Sequence, residues 1–382
     1  MPNEAQKVFS RLISNSSSSS IGDIASLYSA KILYGQGSYP AAEKLLSTIE
    51  DLPGKLRIQQ DLLLINLLIA KKQFQQAGTR LPRLDSDTKP GYFSRHNLAV
   101  NMLKDGISLQ GAGLLDGISK EIFSDAELKM LQDKANLALG YHYLQKKEPA
   151  LAKVYFQKIR LNSYFSPKAL LGSGFAESAQ NQHKRALIPW MELAQREIRD
   201  VETQEALLTV PDTLFKLESY KEAQKHYQNA ISHYAAEALR VKQSIDAIRA
   251  GKLENNVLRL DAGDDTQWQN TLRKLPDAPE NHYFPWLMEN SQIQEAVLLY
   301  RKSLALQNIL EQQRARRTSA ANTHIDQALV EAQGLMKKLD AYIQKTMISE
   351  LSLREQRLDN YLTQAKLGMA ELYNHAAARG DE

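Results

Sequence analysis

The chain has 382 residues, of which 43% are hydrophobic and 24% charged, and its abundant Ala, Leu, Gln, Lys and Glu favour helix over sheet. Its 48 basic and 44 acidic residues are interleaved and leave a net charge of +4, so we expect no strong field for nucleic acid or anionic lipid. The chain contains no cysteine, which excludes disulfides and thiolate zinc sites.

The chain begins with a segment, residues 1–21, that we predict to be flexible because Ser16 to Ser20 is a run of serines. Residues 1–10 lack the apolar core of a signal peptide. The cysteine-free composition slightly favours a periplasmic location, with the signal removed, over a cytoplasmic one. The longest apolar stretch, residues 62–70, is interrupted by Asn66 and is far shorter than the ~20 residues of a membrane span.

A pattern of small and aromatic residues recurs over residues 24–234. In one copy Gly140 is followed by Tyr143, and Ala152 and Phe156 mark a second helix. Small side chains at Gly140 and Ala152 would let the two helices of a hairpin approach closely. The other copies contain Ala30, Leu33, Gly37, Tyr39, Ala42 and Leu46; Leu64, Leu68, Phe74, Ala77 and Leu81; Gly174, Ala186 and Trp190; and Leu214, Tyr220, Ala223, Tyr227 and Ala230.

The spacing of these copies predicts about six two-helix repeats over residues 22–253. The second-helix alanines Ala42 and Ala77, Ala152 and Ala186, and Ala186 and Ala223 lie 35, 34 and 37 residues apart. The 75 residues between Ala77 and Ala152 leave room for a degenerate repeat around Ala112. The pattern resembles that of the tetratricopeptide repeat (TPR) family, and of its bacterial members in particular. The resemblance implies an all-α, right-handed α-solenoid. Pro189 should kink a second helix or delay its start.

The last third of the chain departs from the repeats. We predict a loop-rich connection over residues 254–290, with a short helix around Trp268, and a long helical hairpin or coiled coil over residues 291–382. Its apolar residues follow coiled-coil spacing, in steps of three, four or seven with one four-residue interruption, at Leu329, Ala332, Met336, Leu339, Ile343, Met347, Leu351, Leu358, Tyr361, Ala365 and Leu372. This stripe needs a partner surface, which could be its own chain, a second copy or another protein.

Patterns associated with catalysis or cofactors are weak. Residues 172–174 contain two glycines but follow no predicted strand, so a dinucleotide loop is not expected. Asp261, Asp264 and Asp265 lack the glutamate that closes a calcium loop, and the basic run at Arg314, Arg316 and Arg317 fits a solvated helix end. We therefore predict no enzyme activity, no catalytic residue, no cofactor and no metal.

The resemblance to TPR proteins implies a concave groove lined by the first helices. By register, the groove residues are Lys31, Tyr34, Asn66, Tyr141, Leu144, Phe175, Asp212 and Phe215. This stripe is aromatic and apolar, so the two-carboxylate clamp of some relatives is not expected. An equally weighted alternative is that these side chains pack between repeats or against the C-terminal helices.

These features predict an adaptor or scaffold that holds a peptide or an amphipathic helix of another protein in its groove. The resemblance adds a bacterial cell-envelope complex as the setting. No nucleic-acid partner and no membrane span are expected. Two alternatives stay open: a structural subunit that forms a homodimer through the C-terminal coiled coil, and a non-catalytic domain of a larger enzyme or transporter complex.

Overall fold

The structure is a computed structural model that describes residues 9, 13, 19–85, 87–198, 200–253, 275–316 and 323–379. These residues form fifteen α-helices and two 3-10 helices, and this part of the chain contains no β-strand. The predicted all-α fold class is confirmed. None of the described helices has both the length and the apolarity that a bilayer crossing requires.

The chain divides into two compact units, Met1–Leu193 and Ala194–Glu382, here called unit 1 and unit 2. The described part of unit 1 contains ten α-helices, the last of which ends at the border: α1 Ser19–Gly35, α2 Tyr39–Ser47, α3 Gly54–Ala70, α4 Phe74–Arg80, α5 Lys89–Lys104, α6 Ser108–Lys120, α7 Ala126–Gln145, α8 Pro149–Gln157, α9 Ser166–Ser178 and α10 His183–Ala194. They pair as five successive helical hairpins, and each first helix also packs on the first helix of the next hairpin. This is the packing of a repeat solenoid.

The hairpins share one turn, which has a residue in the left-handed backbone region. These residues are Gly37, Lys72, Gly106, Lys147 and Asn181 in unit 1 and Glu218 in unit 2, with φ between 58° and 85°. The N–H of the next residue donates to a carbonyl near the end of the first helix, as from Ile107 to Met102 at 2.8 Å and from Glu148 to Tyr143 at 2.9 Å. This is a Schellman motif, and equivalent positions in different repeats can be counted from its left-handed residue.

The third repeat, expected only as a degenerate copy around Ala112, is fully formed. Helices α5 and α6 bury Leu98, Ala99, Leu115 and Ile118 completely, and Ala112 lies in the same core. The predicted number of repeats is therefore confirmed, counting α11 and α12 of unit 2 as the sixth.

Small residues let large aromatic side chains fill the space between helices of unit 1. A Cβ atom at Gly172 would lie 2.5 Å from the ring of Phe156, and one at Gly140 would overlap the same ring. A Cβ at Gly174 would overlap the indole of Trp190, whose Nε1 donates to the carbonyl of Leu171 at 3.1 Å. The role assigned to Gly140 from the sequence is thus what the packing shows.

Prolines are accommodated inside two helices. Helix α10 begins at His183 and contains Pro189 in its interior, so the delayed start that Pro189 predicted does not occur. Pro211 lies buried within α11. Neither proline ends its helix.

Among the residues described in unit 2 there are five α-helices of unequal length: α11 Val201–Lys216, α12 Tyr220–Arg249, α13 Phe284–Leu287, α14 Ser291–Ala315 and α15 Thr323–Arg379. Helix α15 has 57 residues and packs along α12 and α14. Its buried apolar positions are Ile325, Leu329, Ala332, Met336, Ile343, Met347, Leu351, Leu358, Ala365 and Leu372, while Leu339 and Tyr361 of the predicted stripe are half-buried. The apolar stripe predicted from the sequence is therefore covered within one chain.

Some predictions lie outside the described residues. These are the short helix around Trp268, the acidic cluster at Asp261, Asp264 and Asp265, Arg317, and the N-terminal segment before Ser19 apart from residues 9 and 13. The predicted domain boundaries, at residues 21, 253 and 290, stay a prediction.

Candidate functional site

The eight residues predicted from the register to line a groove are distributed over both units. Lys31, Tyr34, Asn66, Tyr141, Leu144 and Phe175 belong to unit 1, and Asp212 and Phe215 belong to unit 2. All eight are partly buried. Each therefore combines contacts inside the protein with some surface that a ligand could reach.

In unit 2, helix α15 covers the predicted groove position. The ring of Phe215 lies 5.7 Å from the ring of His375 in α15 and 5.6 Å from that of Tyr220. Asp212 accepts a hydrogen bond from the hydroxyl of Tyr227 at 2.5 Å, and burial raises the pKa of its carboxyl although this hydrogen bond acts in the opposite direction. Both residues therefore make packing contacts within unit 2.

In unit 1, most of the predicted residues are held by neighbours in their own or the next repeat. Lys31 donates to Gln59 at 2.6 Å, Tyr34 packs on Tyr39, and Phe175 lies edge-on to Trp190. Tyr141 is fixed at both ends. Its ring lies 5.1 Å from that of Phe156, and its hydroxyl donates to the carbonyl of Lys168 at 3.0 Å. Of the eight residues, Tyr141 also lines a cavity, described next.

The cavity lies between the first helices of three successive repeats, α5, α7 and α9, and has a volume of about 460 Å³. Its lining, here called the central groove, is formed by His96, Asn97, Val100, Asn101, Lys104, Lys134, Leu137, Ala138, Tyr141, Phe165 and Lys168. Val100, Leu137, Ala138, Tyr141 and Phe165 are half-buried, and the three lysines are exposed. The groove thus has an apolar floor and a polar, positively charged rim.

His96 lies beneath the groove and is only 3% exposed. Burial, and next the ammonium group of Lys134, lower the pKa of its imidazole to about 4, while a hydrogen bond with the Asn97 side chain acts in the opposite direction. The imidazole is therefore neutral at pH 7. Within the described part of the chain, its Nε2 has no hydrogen-bond partner.

Sequence reasoning found Tyr141 but missed the other ten lining residues. The left-handed turn residue was the usable signal, because Lys31, Asn66, Tyr141, Phe175 and Asp212 each stand six positions before such a residue. The same offset from Gly106 gives Val100, which lies in the central groove. Because the register of the third repeat was not predicted, the five lining residues on α5 were missed.

A second cavity, of about 420 Å³, lies in unit 2 beside a buried ion pair. Glu237, which lines it, is 2% exposed and accepts from Arg354 of α15 at 2.7 Å and from the hydroxyl of Tyr283 at 2.9 Å. Arg354 also donates to the carbonyl of Ile198 at 2.8 Å and lies over the ring of Trp286. With its guanidinium buried and its partners inside unit 2, Arg354 fixes α15 on α12.

The described residues offer no group of three or more His, Asp or Glu side chains that could hold a metal ion. Comparison of the sequence finds no matching family model and no matching curated protein. Among solved structures, the chain is similar to one described as a Rap protein complexed with competence and sporulation factor, over 92% of this chain and 96% of that one, at 12% identity and a TM-score of 0.32. A TM-score of 0.32 does not establish a shared fold, so the fold class is assigned from the helices alone. The class they define is the α-helical hairpin repeat.

Proposed function

We propose that this chain is an adaptor that holds a segment of another protein, a peptide or a helix, in the central groove. The observation that supports the proposal is the groove itself, in which the first helices of three successive repeats leave about 460 Å³ open above half-buried apolar side chains. Covering such a floor with a partner's apolar side chain would be favourable by about 25 cal/mol for each Å² removed from water.

Tyr141 is the best candidate for an anchor within the groove. Its ring packs on Phe156 and its hydroxyl is hydrogen-bonded to Lys168, so little side-chain freedom is left to lose on binding. Rigid, partly buried aromatic residues often contribute a large share of the binding energy at protein interfaces.

The cell-envelope setting and dimerisation are separate from binding in the groove. A bacterial cell-envelope setting rests on the resemblance to TPR proteins alone. Dimerisation through the C-terminal coiled coil would need a free apolar stripe, and the stripe of α15 packs on α12 and α14 of its own chain. The structure therefore offers no observation that favours the dimer over the adaptor.

The test uses a variant that fills the groove without removing its existing contacts. Ala138→Trp places a large ring in the cavity, and Ile122→Ala serves as the control because Ile122 is 98% exposed and lies outside the groove. Both purified chains and the wild type are used to capture proteins from an extract of the source organism. Circular dichroism first establishes that the helix content of each variant is unchanged.

We expect a protein that is captured by the wild type and by Ile122→Ala but not by Ala138→Trp. A segment of that protein should then bind the purified wild type in calorimetry and be released by the groove-filling change. Equal capture by all three chains would place the interaction elsewhere and reject the groove.

A further inference from the structure

Three lysines surround the central groove, and no aspartate or glutamate lines it. Lys104 ends α5, Lys134 lies in α7 and Lys168 lies near the start of α9. Lys134 and Lys168 each stand thirteen positions before the left-handed residue of their repeat, so they occupy equivalent positions on successive first helices. Two of the three charges thus repeat from one first helix to the next, and Lys104, two positions before Gly106, adds the third at the end of α5.

Elsewhere in unit 1, many basic side chains that bridge neighbouring repeats are paired with carboxylates. Lys71 pairs with Glu43 at 2.7 Å, and Lys89 pairs with Asp125 at 2.8 Å and Glu127 at 2.9 Å. Within the described residues, Lys104, Lys134 and Lys168 form no ion pair. Like charges placed together without counter-charges create a local positive potential that favours an anionic ligand.

Polar groups of His96 and Asn101 lie beside the lysines in the lining of the groove. Buried polar atoms in proteins nearly always have a hydrogen-bond partner, yet Nε2 of His96 has none within the part of the chain that is described. The neighbouring Asn101 donates to the carbonyl of Asn97 at 2.9 Å, which leaves the amide oxygen of Asn101 available. Because Nε2 of His96 is itself buried, the amide oxygen of Asn101 is the one of these two groups that can accept from the main chain of a peptide lying along α5.

The apolar floor sets a second requirement on the ligand. Val100, Leu137 and Tyr141 line the groove together with the lysines, so a ligand that satisfies the whole groove needs apolar side chains as well as negative charge. The lysine ammonium groups of the rim suit carboxylates and phosphates alike, so the apolar floor is the feature that favours a polypeptide with apolar side chains. A polypeptide meets these requirements better than a nucleic acid.

We infer that the central groove selects an acidic segment of its partner protein, in which carboxylates reach Lys104, Lys134 and Lys168 while apolar residues between them cover Val100 and Tyr141. This inference rests on the proposed function, because it assumes that the groove is where a partner binds. The selection is electrostatic at the rim and hydrophobic at the floor, so neither part alone gives full affinity.

The test measures binding of fluorescent peptide pools to the full chain by anisotropy. One pool alternates glutamate with randomised apolar residues, and its matched pool has glutamine at each glutamate. A single-stranded oligonucleotide and inorganic phosphate serve as competing anions. The triple variant Lys104→Gln/Lys134→Gln/Lys168→Gln is compared with Lys55→Gln/Lys146→Gln/Lys184→Gln, which removes the same charge from exposed lysines of unit 1 outside the groove.

We expect the acidic pool to bind the wild type and the control triple variant equally. The groove triple variant should bind it about thirtyfold more weakly, at roughly threefold for each exposed lysine–carboxylate pair, and raised salt should weaken the wild-type binding in the same direction. Reversing the three groove lysines to glutamate should create affinity for a pool with lysine in place of glutamate.

Other outcomes separate the two proposals. If the glutamine pool binds as tightly as the acidic pool and Ala138→Trp abolishes both, the groove binds a partner but the inference about acidity is wrong. If no peptide pool binds the wild type, or if only the oligonucleotide does so through the three lysines, the acidic protein segment is rejected as the ligand. Equal losses in both triple variants would show a general charge effect and reject the inference as well.

Discussion

Units 1 and 2 use the same helical hairpin in opposite ways. In unit 1 each hairpin packs on its neighbours in sequence, and the face lined by α5, α7 and α9 is left open as the central groove. In unit 2 the hairpin of α11 and α12 is covered by α15, which comes from the far end of the chain and lies against Phe215. The first-helix face that is open in unit 1 is thus packed against a helix of its own chain in unit 2.

The difference also concerns how stability is distributed. Repeats held by neighbour contacts share their stability along the array. Unit 2 instead depends on contacts between residues distant in sequence, such as the hydrogen bond from Gln224 to Tyr373 and the ion pair of Glu237 with Arg354, which are 149 and 117 residues apart. A change at the buried ion pair should therefore weaken the packing of α15 on α12, whereas unit 1 should lose stability locally.

The largest expected effect is at the buried ion pair of unit 2. Arg354→Ala removes a guanidinium that is 1% exposed and leaves the carboxylate of Glu237 without its charged partner. Breaking a buried pair in this way costs about 3–5 kcal/mol of folding free energy. Hydrogen exchange measured by mass spectrometry should show faster exchange in α12 and α15 and unchanged exchange in unit 1.

The matched control is Arg57→Ala, which removes an exposed arginine paired with Asp51 in unit 1. Its effect should be below about 1 kcal/mol. Similar small changes from both substitutions would mean that α15 is held by its apolar stripe alone, and that the ion pair contributes little to the contrast between the units.

The second effect tests the local packing of unit 1. Gly174→Ala adds a Cβ that overlaps the indole of Trp190, a side chain that is 2% exposed and cannot move aside. Overpacking of this kind destabilises by about 1–3 kcal/mol. Urea unfolding should show the loss, and hydrogen exchange should confine it to unit 1.

Gly117→Ala is the control in the same unit, because a Cβ at Gly117 in α6 meets no atom within 4 Å. Alanine is favoured over glycine in a helix interior by up to about 1 kcal/mol, so this variant should be slightly more stable than the wild type. The opposite signs expected for one substitution type separate close packing from helix propensity.

The sequence predicted the fold better than the site, and particular residues show why. The repeats that contain Gly140, Ala152 and Trp190 could be recognised because small and aromatic residues recur in them at fixed intervals. The third repeat has no such aromatic pair, so the register of its first helix was not predicted. Val100 was therefore missing from the predicted groove residues. Lys134 and Lys168 lie on α7 and α9, whose register was already predicted through Tyr141 and Phe175, but their place beside the same cavity as Lys104 depends on tertiary packing.

The covering of Phe215 by α15 could not be predicted for a related reason. The sequence showed an apolar stripe at Leu351, Leu358 and Ala365 but not the surface that would bury it. That choice is decided by contacts more than a hundred residues apart, such as that of Arg354 with Glu237. Periodicity within a helix carries no information about such pairings.

The third effect is a pH dependence expected from unit 1. The pKa of His96 is lowered from 6.5 to about 4 in the folded chain, chiefly by burial. The unfolded chain therefore binds more protons between these values, and stability falls as the pH drops through this window. From pH 7 to pH 5 the loss attributable to His96 should be about 2 kcal/mol.

Urea unfolding of the wild type and of His96→Gln at both pH values isolates this contribution, because other titrating groups are common to the two chains. The variant should lose less stability on acidification, by the same amount. Parallel losses would show that His96 is more solvated than its 3% exposure indicates.

The smallest effect concerns the turn that both units share. Lys147 in unit 1 and Glu218 in unit 2 each adopt φ of 59°, a left-handed conformation that costs a non-glycine residue roughly 1–2 kcal/mol and glycine much less. Glycine's greater freedom in the unfolded chain offsets part of this gain, so Lys147→Gly and Glu218→Gly should each stabilise by up to about 1 kcal/mol. Because the turn is closed by the same local hydrogen bond in both units, from Glu148 to Tyr143 and from Ser219 to Leu214, the two gains should agree in urea unfolding. A gain in unit 1 without one in unit 2 would show that the cover of α15 strains or supports the turn at Glu218, and that the difference between the units extends to their local structure.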